Sequence, residues 1–401
     1  MICLCNHLAN RPILMKPLQS QLQYLAQVAV FSIATIQAQV QWHGRLHVDA
    51  GAYLPDTALD NAREATAGME IRRIRLTAKG NYSSSLKYKI SVDFGKGKVA
   101  IKDAYLDFKV CPNTDHARLR IGHFKEPYRW DVLNSSNQIL LPGRPEVTGA
   151  FGKERNAGIM VYGYLTPKVA YQVGAFRNYQ AGAHQIVTLS HNPSVINTNR
   201  IAVLPLKKSS QWIMAAGYFR HQIGQGANYV VKVGTESLFA PKLISLAIDT
   251  LRNGRWIGGE LAASFGPLYF QSEYIAFSGQ SVGNGNINIG GGYVQMAYIL
   301  TGEHRPIKSA LSGVKAIAPK QSWGKSGGWG AWEIVGRYSL GDFRATAYPK
   351  GALSTLSVGI NWYPYAKARI MLNYVRPMLS GSDKYSDGTA HIIQTRFMIF
   401  F

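Results

Sequence analysis

The chain alternates apolar and polar residues with a period of two along many of its segments. In the last one, residues 391–401, Phe397 and Ile399 lie on one face while Gln394 and Arg396 lie on the other, and the segment ends on an aromatic residue. Such a segment is typical of the closing strand of an outer-membrane β-barrel. The pattern therefore predicts a strand with one face in lipid and the other in water.

The same alternation recurs in earlier segments. In residues 87–94, four apolar residues alternate with Lys87, Lys89, Ser91 and Asp93, which predicts a strand with a polar inward face. Basic residues occupy the inward positions of this and other predicted strands, and we expect them to line the lumen. They are Lys87, Lys89, Arg118, Arg120, Arg337, Arg369 and Arg396.

About 16 or 17 such segments lie between residues 42 and 401, and bacterial single-chain barrels have an even number of strands. The predicted fold is therefore all-β, a transmembrane antiparallel β-barrel of about 16 strands. Residues 179–209 are predicted to form a long outer loop. Residues 243–251 are predicted to belong to another, because residues 254–265 supply the next strand. The long connection at residues 302–330 falls on the side where turns should be short, and the pattern does not explain it.

The N-terminal part predicts a signal peptide over residues 1–38. Its apolar stretch, residues 25–36, is too short to span a membrane as a helix. Lys16 precedes this stretch and a small-residue cleavage site ends at Ala38, as in secretory leaders. Met15 is then a better start than the first methionine. A buried N-terminal helix is the alternative.

The remaining residues 39–401 are predicted to form the barrel. Cleavage removes two of the three cysteines and leaves Cys111 alone, so no internal disulfide is expected. The 44 basic and 22 acidic residues give a net charge of +22, which falls to about +20 when Arg11 and Lys16 leave with the leader. A charge of this size and sign favours an anionic partner.

Residues 70–76 carry three arginines in four positions. Arg73 and Arg75 fall on the inward face, while Arg72 lies where the alternation breaks and where it can reach a neighbouring loop. A guanidinium group offers two parallel donors to phosphate and stays charged at physiological pH. The cluster therefore predicts an anion site in the lumen. A solvated charged strand, or ion pairs that hold a loop, would explain it equally simply.

Residues 125–156 form a predicted loop that is rich in Pro, Gly, Ser and Asn. Its apolar residues could pack against the inner wall, so that the loop folds inward and narrows the lumen. Its basic residues include Lys125, Arg129 and Arg144. In the alternative, the loop covers only the outer mouth.

An ordered set of motifs runs from residue 70 to the end and resembles the phosphate-selective porin O and P family. The motifs are Glu70-Ile-Arg-Arg-Ile-Arg-Leu76, Lys102-Asp-Ala-Tyr-Leu106, Arg120-Ile-Gly-His-Phe-Lys-Glu-Pro127, Gly259-Glu260, Gly266-Pro267, Glu273-Tyr274, Gly302-Glu303-His-Arg305, Gly330-Ala-Trp-Glu333, Arg337-Tyr-Ser339, Asn361-Trp-Tyr-Pro364 and Met371-Leu-Asn-Tyr374.

The resemblance implies a trimer of sixteen-stranded barrels, each with a pore that inward-folded loops constrict and that arginines and lysines line to pass anions. It also implies which residues form the constriction: Arg72, Arg73, Asp103 and Lys125. Arg129 and Arg144 lie in the loop that corresponds to the family's constriction loop.

These observations together predict a passive anion porin in the bacterial outer membrane. We expect inorganic phosphate, polyphosphate or other small anions as solutes, outer-membrane lipid around the barrel, a homotrimer, and no cofactor, metal or nucleic acid. A non-selective general porin or a surface adhesin remains the alternative, because either can share the same wall. No Ser–His–acid or paired-carboxylate spacing supports an enzyme.

Overall fold

The computed structural model describes residues 40–60, 67–111, 114, 116–152, 154–177, 195–204, 214–223, 229–248, 251–281, 285–324, 327–345 and 348–401. The predicted signal peptide lies outside these residues, so its cleavage stays a prediction.

The described residues form twenty strands. They are β1 (Gln41–Pro55), β2 (Ala67–Asn81), β3 (Leu86–Asp93), β4 (Ala100–Lys109), β5 (Arg118–Lys125), β6 (Arg155–Thr166), β7 (Val169–Arg177), β8 (Val195–Val203), β9 (Met214–Ile223), β10 (Tyr229–Gly234), β11 (Lys242–Ile248), β12 (Leu251–Phe265), β13 (Leu268–Ser281), β14 (Gly285–Ile299), β15 (Ile307–Ser309), β16 (Gly313–Val314), β17 (Ala331–Ala345), β18 (Tyr348–Tyr365), β19 (Ala368–Ser380) and β20 (Gly388–Phe400).

Sixteen of these strands form one closed antiparallel barrel, as predicted. Chain neighbours pair around the wall, except that β9 pairs with β12 and β14 pairs with β17, and β20 closes the cylinder against β1. The other four strands form two separate hairpins, β10–β11 and β15–β16. Two single helical turns, α1 (Trp130–Leu133) and α2 (Glu146–Gly149), lie between β5 and β6. In the described part of the chain, no helix is both long and apolar enough to cross a membrane.

The two faces of the wall follow the period of two. On β3, Ile90 is 54% exposed on the outer face, whereas the next residue, Ser91, is 1% exposed on the inner face. The closing strand behaves in the same way, with Phe397 and Ile399 outward and Arg396 inward. Apolar side chains therefore face lipid and polar side chains face the lumen.

Two loop predictions need correction. Within residues 179–209, Val195–Val203 forms barrel strand β8, whose outer face carries Asn197 and Asn199 among its apolar residues. These two polar residues obscured the alternation. Most of residues 243–251 form β11, which is not a strand of the barrel wall, so the prediction that this segment adds no wall strand holds until Leu251 begins β12. The segment is nevertheless a regular strand rather than an irregular loop.

Gly122 explains why the Arg-Ile-Gly-His-Phe-Lys-Glu-Pro motif contains a glycine. Its φ is +135°, and a Cβ there would lie 2.3 Å from the carbonyl oxygen of Ala104 on β4. Both the backbone conformation and the close approach of the strands require glycine.

We expect Gly122→Ala to lower the free energy of unfolding by more than about 1 kcal/mol, because alanine is strained at this φ and collides with β4. Thermal unfolding of the detergent-solubilised barrel would measure the loss. Gly336→Ala on β17 is the matched control, since no described heavy atom lies within 4 Å of its Cβ position. Equal melting temperatures for the two variants would contradict the explanation.

Candidate functional site

The loop between β5 and β6, residues 126–154, crosses the inside of the barrel, and we call it the constriction loop. Opposite its origin, three side chains of the wall and Arg305 of the connection between β14 and β17 donate hydrogen bonds to its carbonyl oxygens. These bonds run from Arg305 to Gln138 (3.0 Å), from Arg369 to Ile139 (2.7 Å) and Leu140 (2.9 Å), from Asn361 to Leu140 (3.0 Å) and from Arg337 to Gly143 (2.8 Å). The loop is therefore fixed across the lumen, as the inward-folded loop of the prediction requires.

The middle of the constriction loop also contacts β1. Arg45 Nη1 donates to Ser136 Oγ at 2.8 Å, and His47 Nε2 lies 3.1 Å from Asn137 Oδ1. Lys125, at the end of β5, donates from Nζ to the carbonyl oxygen of Asn134 at 3.0 Å. These contacts hold the loop beside the cationic wall of β1 and β2, where the open path remains.

A second inward element enters from the outer side. This element is the hairpin β10–β11. Glu236 lies in the segment that joins its two strands; its φ is +61° and its side chain is buried. Its carboxylate accepts hydrogen bonds from Arg337 Nε (2.9 Å), Ser339 Oγ (2.6 Å) and Ser357 Oγ (3.0 Å). Burial raises the pKa of Glu236, against the opposing effect of Arg337. The hairpin therefore fills the side of the lumen near β17 and β18.

The long connection at residues 302–330, which the sequence left unexplained, supports the constriction loop from the other end. Its hairpin β15–β16 is held by Arg200 Nη1, which donates to Ala310 O at 2.8 Å. The backbone N–H of Val314 donates to Asn134 Oδ1 at 2.9 Å. Lys308 of the same hairpin lines the lumen. The connection is long because it folds back into the barrel.

Two cavities remain, one on each side of the constriction loop. The outer cavity has a volume of ≈ 190 Å³ and the inner cavity a volume of ≈ 660 Å³. Of the described residues, three line both cavities: Arg73, Arg144 and Glu154. The two cavities therefore adjoin each other at these side chains.

The arginine cluster on β2 lies at this meeting point. The register between β1 and β2 shifts beside His47, so that Arg72 has no partner residue on β1. This bulge turns Arg72 and Arg73 to the same side, and both line the outer cavity. Arg75 faces the inner cavity and pairs with Asp93 at 2.6 Å. Among the described residues, no carboxylate lies within ion-pair distance of Arg72 or Arg73.

The other side of the meeting point carries a row of six side chains with alternating charge, joined by ion pairs. In order, they are Lys89, Asp103, Arg155, Glu154, Arg144 and Asp131. The successive N–O distances are 2.8, 2.9, 3.1, 3.2 and 2.7 Å. Three of these residues are cations and three are carboxylates, so the row is neutral overall.

Glu154 and Arg144 keep their charges at physiological pH. The position of Glu154 inside the lumen would by itself raise its pKa, but Arg144 and Arg155 outweigh this effect and hold the pKa well below the usual range. Burial likewise disfavours the charged form of Arg144, but Asp131 and Glu154 outweigh it and raise the pKa of the guanidinium. Neither group titrates near neutral pH.

The predicted site residues fall into two groups. Those that line a cavity are Arg72, Arg73, Arg75, Lys89, Asp103, Arg120, Lys125, Arg129, Arg144 and Arg396. Lys87, Arg118, Arg337 and Arg369 line neither of the two lumenal cavities. Arg118 pairs with Asp107 at 2.5 Å. Arg337 and Arg369 anchor the constriction loop, so their lining of the solute path stays a prediction.

Several of the arginines that line a cavity have protein partners. Arg396 makes a bidentate contact with Asp49, with two N–O distances of 2.6 Å. Arg129 Nη1 donates to Thr148 O of the loop at 2.9 Å. Arg120 shares Asp107 with Arg118. These arginines therefore differ from Arg72 and Arg73, which form no ion pair with another described residue.

Sequence reasoning missed several lining residues, among them Arg45, Glu154, Arg155 and Lys308. Arg45 follows the same inward period as His47 and could have been found from the alternation. Glu154 and Arg155 lie at the end of the constriction loop, where alternation gives no direction. Among the described residues, no group of three or more His, Cys, Asp or Glu side chains could hold a metal ion.

Comparison by sequence identifies related proteins. The chain is 28% identical to Porin O of Pseudomonas aeruginosa over an aligned length of 163 residues, and the match covers 35% of this chain and 34% of that protein. It is 23% identical to an uncharacterized protein of Caulobacter vibrioides over an aligned length of 347 residues, and the match covers 82% of this chain and 67% of that protein. The matched part therefore spans about a third of Porin O.

Solved structures of outer-membrane proteins share the fold. OmpT of Vibrio cholerae matches 91% of this chain and 98% of its own with a TM-score of 0.57 at 11% identity. An anion-selective porin from Comamonas acidovorans matches 91% and 100% with a TM-score of 0.54 at 12% identity. The family model described as phosphate-selective porin O and P matches residues 40–401. The chain therefore belongs to the phosphate-selective porin O and P family of bacterial outer-membrane porins.

Proposed function

We propose that this porin passively conducts anions, with phosphate or polyphosphate as the favoured solutes. The observation that carries the proposal is the pair Arg72 and Arg73. Both line the outer cavity, Arg73 also lines the inner one, and neither has a carboxylate partner among the described residues. Guanidinium groups that face water in a narrow lumen attract anions and repel cations.

The chemistry of the pair favours tetrahedral oxyanions over chloride. Each guanidinium offers parallel N–H donors that match two oxygens of one phosphate. Arg144 faces the same junction from the constriction loop, so a phosphate there can contact cations from two sides. Chloride has no oxygen atoms to accept the paired donors and carries only one charge, so it gains less binding energy from this arrangement.

The surrounding charges support conduction rather than storage. Lys79, Lys89 and Lys308 extend the positive potential along the inner cavity, so that an anion meets a graded path rather than a single deep site. Conduction requires binding that is favourable enough for entry and weak enough for exit. No cofactor or energy source takes part in the proposed function.

We also propose a homotrimer. The exposed outer face carries large apolar residues around the whole wall, such as Ile257, Met296 and Ile399, and lipid or a neighbouring barrel can cover them. A structure of OmpT from Vibrio cholerae is of its trimer form, which supports the same assembly for this fold.

Reconstitution in planar bilayers would test the ion preference. With a potassium chloride gradient across the membrane, we expect a reversal potential whose sign corresponds to chloride as the more permeant ion. Phosphate added at low concentration should reduce the chloride current, because it binds at the junction for longer. A reversal potential that favours potassium would contradict anion conduction. If phosphate does not reduce the chloride current, the result would instead favour the alternative function, a non-selective general porin.

A further inference from the structure

A carboxylate lies where the two lumenal cavities adjoin, beside cations that the proposed function uses. Of the three residues that line both cavities, Arg73 and Arg144 are cations and Glu154 is the acid. A negative charge at this point opposes anion binding, so it needs a physical reason. The environment keeps the charge: Arg144 and Arg155 hold Glu154 ionised.

Glu154 differs from the other two carboxylates of the row in its access to the lumen. Its side chain is 36% exposed, whereas those of Asp103 and Asp131 are 6% and 5% exposed. Asp103 and Asp131 are therefore buried partners that fix Arg155 and Arg144 in place. Arg144 and Arg155 also line the inner cavity, so a solute there lies near both guanidinium groups and near Glu154.

The contacts of Glu154 are also the weaker ones in the row. Its distance to Arg144 Nε is 3.2 Å, and its distance to Arg155 Nη1 is 3.1 Å, while Arg144 lies 2.7 Å from Asp131. Arg144 Nε is buried and has no hydrogen-bond acceptor with good geometry in the described part of the chain. An oxyanion that displaces the exposed carboxylate of Glu154 takes its place beside this donor, while Asp131 and Asp103 keep the two guanidinium groups in position.

We propose that Glu154 is the resident counterion of the constriction. Its carboxylate contacts Arg144 Nε and Arg155 Nη1 when no solute is present, and a passing phosphate replaces it and contacts Arg73 at the same time. When the phosphate moves on, the carboxylate returns and competes for the donors, which shortens the stay of the anion. This inference rests on the proposed function and assigns to Glu154 the balance between binding and release.

The inference predicts opposite changes in affinity and throughput. In Glu154→Gln the size of the side chain is retained but one negative charge beside the phosphate position is lost. We expect the phosphate concentration that halves the chloride current to fall on the order of tenfold, since a unit charge at this range acts strongly in a narrow lumen. We expect the saturating current carried by phosphate alone to fall as well, because release becomes slower.

These two readouts separate the proposal from a structural role of Glu154. If Glu154 only held the constriction loop in place, its loss would widen the pore, raise the chloride conductance and weaken the block by phosphate. Weaker or unchanged block in Glu154→Gln would therefore overturn the inference. Glu154→Ser is a second neutral variant for the same measurement, and heat-modifiable migration in gels would show that each variant forms a barrel.

Two further variants serve as controls. Glu154→Asp retains the charge and should keep the block within about twofold of the original protein, and a shift as large as that of Glu154→Gln would overturn the inference. Asp342→Asn removes an acid that lines neither cavity and pairs with Arg344 at 2.7 Å, and it should leave the block unchanged. If the original protein prefers potassium, the proposed function fails, whereas an anion-selective protein with unaltered block in Glu154→Gln refutes only the role of Glu154.

Discussion

Replacing both Arg72 and Arg73 by alanine is expected to weaken the block of chloride current by phosphate by about a hundredfold or more. A hydrogen bond to a charged group contributes about 1.5–3 kcal/mol, and the double variant removes at least one such bond for each arginine. Two bonds of this strength correspond to a factor of about a hundred or more in affinity. Titration of phosphate into chloride-bathed single channels would measure the change.

The control variant must remove two positive charges from residues that line neither lumenal cavity. Arg344 and Lys350 are suitable, because they pair with Asp342 and Asp383 at the outer end of β17 and β18. The variant Arg344→Ala with Lys350→Ala should keep the block of the original protein. If both double variants weaken the block equally, net charge rather than the junction determines it, and Arg72 and Arg73 are not the phosphate site.

The barrel could be predicted from sequence because the direction of each wall residue is a local property. In β3 and β20, alternation alone gives the lipid face and the lumenal face, and the structure agrees. Alternation did not predict β8, because Asn197 and Asn199 occupy its lipid face. A strand with polar residues on both faces carries no period-two signal, although its neighbours β7 and β9 hold it in the wall.

The candidate site could be predicted only in part. The break in alternation at Arg72 is local, so the sequence locates the bulge that the register of β1 and β2 contains. Whether an inward cation meets water or protein depends on contacts between distant residues. Arg369 has the predicted direction, but its guanidinium lies against Ile139, 230 residues away in the sequence. No pattern within one strand can reveal such a partner.

The same limit explains why residues 302–330 could not be interpreted. The segment has no alternation, because its role is to carry Arg305, Lys308 and Ala310 into the lumen rather than to build the wall. Arg305 contacts Gln138 O at 3.0 Å and Glu333 at 2.7 Å. Together with the constriction loop and the hairpin β10–β11, the segment fills part of the lumen, and basic residues of β2 line the two lumenal cavities.

Arg369→Ala is expected to raise the single-channel chloride conductance. The side chain donates two hydrogen bonds, to Ile139 O at 2.7 Å and Leu140 O at 2.9 Å. Their loss weakens the attachment of the constriction loop by about 3 kcal/mol or more. The barrel itself should persist, because Glu333 keeps its closer partner Arg305 at 2.7 Å while its distance to Arg369 is 3.8 Å. A loosened loop widens the path and increases current noise.

This result would distinguish a loop anchor from a lining cation, because the two roles change the conductance in opposite directions. Loss of a cation that lines the path lowers the local anion concentration and therefore the chloride current. Arg376→Ala is the matched control on the same strand, since Arg376 is exposed on the outer face of β19 and its loss should leave the conductance unchanged. A lower conductance in Arg369→Ala would show that the guanidinium contacts solutes, and that the position of the loop depends on its other anchors, Arg305, Arg337 and Asn361.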